Sequence, residues 1–145
     1  MKLDPKEKLL AGRVQQILSR VLTRADWQLA LTQDFHPEYR QWVDGKELDY
    51  KAFCAHIHWL RSQVKISEIG FEQLFCQQQK VFSCHRVAGE KADGSRFSIR
   101  VLALFQFEAE RIIRTDEMSC VLSGDDSAKR LAQSYRRYDW RRKKL

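Results

Sequence analysis

The 145-residue chain has no uninterrupted apolar run long enough to span a bilayer, so no transmembrane segment is expected. Its opening residues, Met1 to Lys8, are charged and carry no apolar signal-peptide segment, which makes a cytoplasmic location the expectation. Cysteine pairs are missing too. Cys54, Cys76, Cys84 and Cys120 are scattered without a CxxC, and reduced core thiols are expected. There is no Gly-rich phosphate loop, no GxSxG elbow and no dinucleotide fingerprint, so no nucleotide or other cofactor is expected. No second carboxylate at a fixed spacing argues for a glycosidase or a metal site. Cys54 and His58 share a helix face, but two ligands do not make a zinc site. Internal repeats and low-complexity linkers are absent.

What remains is an ordinary globular composition, 43% apolar and 31% charged, in a chain sized for one core. The net charge of +7 sits in one place. Between Lys129 and Leu145 eight basic residues face the single acid Asp139, and the remainder is neutral. The basic character belongs to the tail, and the division expected is a domain over 1–124 and a basic helix or tail over 125–145.

The strongest pattern lies in the second half. Phe97, Ile99, Val101, Ala103, Phe105 and Phe107 alternate with Arg96, Ser98, Arg100, Leu102, Leu104 and Gln106, which makes a strand with one wholly apolar face and one mixed face. Long strands are expected over 66–76, 81–88, 96–107 and 111–122, joined by short turns into an antiparallel meander that must twist and curl. Gly70 is a candidate bulge in the first of them. Three helices precede the strands. Asp4 and Pro5 open the first, with the stripe Leu10, Val14, Ile17, Leu18 and Val21. Asp26 can cap a short second helix, and Asp49 a third over 50–64 with Phe53, Ile57, Leu60 and Val64 buried. Between the second and third lies an aromatic connection, Phe35 to Gly45, expected at the mouth of a pocket formed between helices and sheet. The fold class is therefore α+β: a curled antiparallel sheet, or cone, with three N-terminal helices on its concave face and a basic C-terminal helix.

That order of elements resembles the nuclear transport factor 2-like superfamily. Phe35-His36-Pro37 through Gly45, followed by a helix from Asp49, is similar to the family's early segment. Leu104 to Asp116 is similar to its phenylalanine-x-phenylalanine, acidic-glycine-lysine-isoleucine hairpin, with Glu110 standing where the family has glycine. The resemblance covers about 5–123. In the SnoaL-like branch it implies a pocket carboxylate at the position of Asp116. The family includes polyketide cyclases, steroid isomerases, dehydratases, epoxide hydrolases and many non-catalytic binders. Its members often dimerise through the outer face of the sheet.

If Ile112 packs inward, as the resemblance implies, then Arg114, Asp116, Met118 and Cys120 share its face. Asp116 would act as a general base, because a partly desolvated carboxylate has a raised pKa. Arg114, His56 or His85 would steady negative charge or orient the carboxylate. Tyr39, Trp42, His85, Phe105 and Met118 would contact the ligand. The bland alternatives stay open: Arg114 and Asp116 as a structural ion pair, His56 as a hydrogen-bonded core histidine, Tyr39 and Trp42 as core plugs. Two functions follow. One is a SnoaL-like protein binding a small apolar molecule, with isomerase, cyclase, dehydratase or hydrolase chemistry by proton transfer. The other is a non-catalytic dimeric interaction module whose tail binds nucleic acid, an anionic surface or a protein partner.

Overall fold

In the computed structural model, residues 5–125 are described together with Ala128 and Leu131. Pro5 suits the first turn of a helix because its missing N–H has no partner there, and α1 runs Pro5–Thr23. Its stripe Val14, Ile17 and Val21 is buried. The short helix α2 spans Trp27–Gln33. Asp26 does not cap it through its side chain; that carboxylate accepts from Arg20 Nε at 2.8 Å instead. Asp49 does cap α3 (Tyr50–Gln63), accepting from the Ala52 N–H at 2.8 Å.

The expected aromatic connection is a strand. β1 (Phe35–Val43) turns through Asp44 and Gly45, at φ 47° and 88°, into the short edge strand β2 (Lys46–Asp49). The pattern in β1 was masked by two features. Pro37, which cannot donate to a ladder, sits where the pairing slips between Phe35 and Arg40. Beyond it Tyr39, Gln41 and Val43 alternate inward, and the polar Gln41 breaks the apolar period.

β3 (Val64–Gln77), β4 (Lys80–Lys91), β5 (Arg96–Glu108) and β6 (Arg111–Ser123) form the expected antiparallel meander. The full order is β2-β1-β6-β5-β4-β3, and β1 lies parallel to β6, so the curled, unclosed sheet is mixed. Gly70 is regularly paired with Arg86; the irregularities of β3 flank it, between Ile66 and Glu68 and between Phe71 and Gln73. Gly89 has a different necessity. A Cβ there would lie 2.5 Å from the Lys65 carbonyl oxygen, so only glycine lets β4 pass that close to β3.

The helices cover the concave face, α1 lying on β3 and α3 on β1. The core joins the inward row of β5 to Val14, Ile17, Phe53, Ile57 and Leu60. The expected basic helix over 125–145 lies, apart from Asp125, Ala128 and Leu131, outside the described residues. No helix among the described residues is long and apolar enough to cross a membrane.

Candidate functional site

The site is set by one irregularity in β6. Ile112 pairs with Phe107 and Arg114 with Gln106, which leaves Ile113 as an extra residue without an opposite number. A bulge of one residue inverts the face of everything after it. Ile112 is inward and fully buried, as expected. The inward residues that follow are Thr115, Glu117 and Ser119, opposite Phe105, Ala103 and Val101.

Arg114, Asp116, Met118 and Cys120 therefore do not share the inward face of Ile112, which corrects the sequence expectation for all four. They stand on the outer face, opposite Gln106, Leu104, Leu102 and Arg100, and Cys120 is exposed there. Arg114 Nη2 lies 2.9 Å from Asp116 Oδ1, a half-exposed ion pair. Arg114 also lies 3.9 Å from Glu47. Met118 is 60% exposed. Trp42 pairs with Asp116 across β1 and β6 and belongs to the same outer face.

The other four expected site residues come together. Tyr39, His56, His85 and Phe105 line a single cavity of about 120 Å³ between sheet and helices. Most of its wall is apolar, and Leu131 adds to it. His56 Nε2 lies 3.1 Å from the carbonyl oxygen of Leu131. A carbonyl only accepts, so Nε2 carries the hydrogen. His56 thereby ties α3 to the segment that follows the sheet. His58 points outward and meets the Trp27 ring edge-on at 4.6 Å. Among the described residues no group of three or more His, Cys, Asp or Glu is placed to hold a metal ion.

Three polar residues that the sequence pattern did not single out line the same cavity: Glu117, Gln41 and Thr115. Glu117 turns into the cavity, and Gln41 Nε2 donates to its Oε1. Burial of the carboxyl, followed by the nearby negative charge of Asp44, pushes its pKa up to about 8, against the Gln41 hydrogen bond. Asp44 is held apart from it by Ser119, whose N–H lies 2.8 Å from Asp44 Oδ1 and whose hydroxyl reaches Oδ2. Tyr39 is 2% exposed, and burial raises its phenol well above the ordinary range, so it stays a neutral donor.

On β4, Ser83 Oγ lies 2.8 Å from His85 Nδ1. Burial pushes the His85 pKa down to about 4, so this imidazole is neutral near pH 7. Ser83 and Glu117 both stand opposite Ala103, on either side of it. Two strand spacings, about 10 Å, separate them. The arrangement is thus a carboxyl poised near neutrality, held by an amide, beside a neutral phenol and across from a neutral imidazole. Such a set can give or take a proton without a charged ligand.

The fold is that of the nuclear transport factor 2-like superfamily, in its SnoaL-like form. A protein of Jannaschia sp. described as a SnoaL-like polyketide cyclase superimposes with a TM-score of 0.73 at 14% identity, over 93% of this chain and 98% of that one. An NTF2-like protein of Anabaena variabilis superimposes with a TM-score of 0.67 at 14% identity, over 86% and 96%. At sequence level, an uncharacterized protein of Schizosaccharomyces pombe is 34% identical over 95 residues, which is 66% of this chain and 73% of the yeast protein. The chain belongs to the same family as that fission-yeast protein. No family model matches it.

Proposed function

We propose that this protein binds a small molecule in its cone and transfers a proton at Glu117. The observation that carries the reading is the cavity-facing Glu117 carboxyl, held by Gln41 and raised to about 8. Near neutral pH such a group exchanges its proton with little driving force either way, which suits a general acid or base. Tyr39 supplies a neutral hydrogen-bond donor to charge that develops on a substrate, and Gln41 orients the carboxyl. Isomerase, cyclase, dehydratase or hydrolase chemistry all use a step of this kind. The superimposed SnoaL-like protein carries a cyclase description, and that likeness supports a ligand cavity without choosing a reaction. Asp116 and Arg114, the pair suggested by sequence, take no part in this reading.

The test is a screen of small carbonyl, epoxide and hydroxyl compounds for turnover by the wild type, followed by Glu117→Gln and Asp116→Asn. Glu117→Gln is expected to cost a hundredfold or more, roughly the worth of a general base, and Asp116→Asn to leave the rate within about twofold. Loss of turnover in Asp116→Asn alone would overturn the assignment.

The outer face favours a second copy of this chain as partner. Phe75 and Phe82 stack at 5.8 Å, and Leu102, Leu104 and Met118 continue the apolar surface at 46%, 38% and 60% exposure. Flanking pairs such as Arg86–Glu68 and Arg100–Glu72 put both charge signs at its border, so the surface can meet its own copy. Binding of nucleic acid or an anionic surface by the tail rests on its sequence charge and is the secondary reading.

A further inference from the structure

We infer that the cavity takes an uncharged ring of about benzene size bearing one hydroxyl, which donates to Gln41 Oε1 and accepts from Glu117. The inference rests on the reading of the cavity as a ligand site. Size sets the scale. A space of about 120 Å³ is close to the engineered apolar cavities of roughly 150 Å³ that hold benzene. Shape and polarity set the body. Phe35, Phe53, Phe97 and Phe105 line it, and aromatic side chains pack well against another ring.

The polar end sets the functional group. Gln41 is 5% exposed, and its Oε1 has no hydrogen-bond partner among the described residues. An acceptor left bare in an apolar site is costly, and a ligand that donates to it removes that cost. Its neighbour has the opposite character. Glu117 Oε1 already accepts from Gln41 Nε2, so the acid proton that Glu117 keeps near neutral pH belongs on Oε2. An unsatisfied acceptor and a proton donor thus belong to two neighbouring side chains that both line the cavity. A hydroxyl is the smallest group that answers both, since it donates and accepts through one oxygen.

Charge is excluded from both directions. Among the described residues no Lys or Arg lines the cavity, and His85 is neutral, so an anionic ligand finds no counter-ion among them. A cation would have to ionise Glu117 in surroundings that resist it.

The test is NMR titration of the full chain at pH 7 with phenol, toluene, benzoate and benzylamine. Phenol is expected to bind about tenfold tighter than toluene, the scale of one satisfied buried acceptor, and the two ions at least tenfold more weakly than phenol. Gln41→Leu should bring phenol down to the toluene level while toluene still binds, which also shows that the variant is folded. Equal affinity of phenol and toluene in the wild type would overturn the inference, because a bound water then fills the polar end. Tighter binding of benzylamine or benzoate would overturn it as well. If phenol shows no preference while the Glu117 carboxyl still titrates near 8, the hydroxyl assignment fails alone. If none of the four binds, the ligand-site reading falls with it.

Discussion

Asp116 and Glu117 are neighbours in the chain and occupy opposite sides of the same sheet. Asp116 lies on the outer face, half exposed, with Arg114 at 2.9 Å. Glu117 faces the cavity, with an amide for a partner and a second carboxylate nearby in place of a cation. The chemistry of a carboxyl is thus decided here by which way one strand residue points. That direction is decided in turn by a single extra residue, Ile113, two positions upstream of Thr115.

The sharpest way to break this contrast is to insert one alanine between Arg114 and Thr115. With a second extra residue the later part of β6 flips, and Asp116 and Met118 are driven into the apolar cone while Thr115 and Glu117 leave it. The expected loss is about 4 kcal/mol or more, seen as collapse of the denaturation midpoint, because a charge enters a site with no partner built for it. An insertion variant of near wild-type stability would show that the pairing register does not fix the faces.

Glu117→Gln gives the next largest effect, and its sign depends on pH. The folded-state pKa of Glu117 is raised from the ordinary 4.5 to about 8. Between those values the folded chain holds a proton that the unfolded chain has released, so the contribution of Glu117 to stability falls as pH rises through that window. Glu117→Gln removes this slope and stabilises the protein above pH 8, on the order of a few kcal/mol, in urea melts compared at pH 5 and pH 9. Asp116→Asn in the same melts should change stability by less than about 1 kcal/mol, as for other surface pairs.

The outer face yields a prediction of association. Leu104→Glu places a charge in the middle of the exposed apolar row and should weaken a dimer by about tenfold or more in sedimentation experiments, leaving the Glu117 titration unchanged. A small gain is expected at the β5–β6 turn. Ala109 and Glu110 hold φ values of 50° and 67°, the left-handed region, with Arg13 Nε donating to the Glu110 carbonyl at 3.0 Å. Glu110→Gly relieves one of these strained positions and should raise stability by about 1 kcal/mol in thermal melts.

The long strands and helices were legible because their apolar periods were clean, as in β5 and in the stripe of α1. The same pattern brought Tyr39, His56, His85 and Phe105 toward one interior. The parallel pairing of β1 was hidden by Pro37 and by the inward Gln41. The site carboxyl was hidden for a subtler reason. After Ile112, the two alternating sets of β6 are both mixed: Arg114, Asp116, Met118 and Cys120 on one side, Thr115, Glu117, Ser119 and Val121 on the other. Hydrophobic period cannot choose between two such sets, and a bulge leaves no residue signature when it falls on a pair of isoleucines.

The most direct test is a carboxyl ¹³C NMR titration of the wild-type protein, with Glu117 assigned by the disappearance of its signal in Glu117→Gln. Half-protonation of Glu117 near pH 8 is the expected result. Titration of Glu117 in the ordinary carboxylate range, near 4.5, would contradict the account, because it would mean that this carboxyl is hydrated and does not face the cavity.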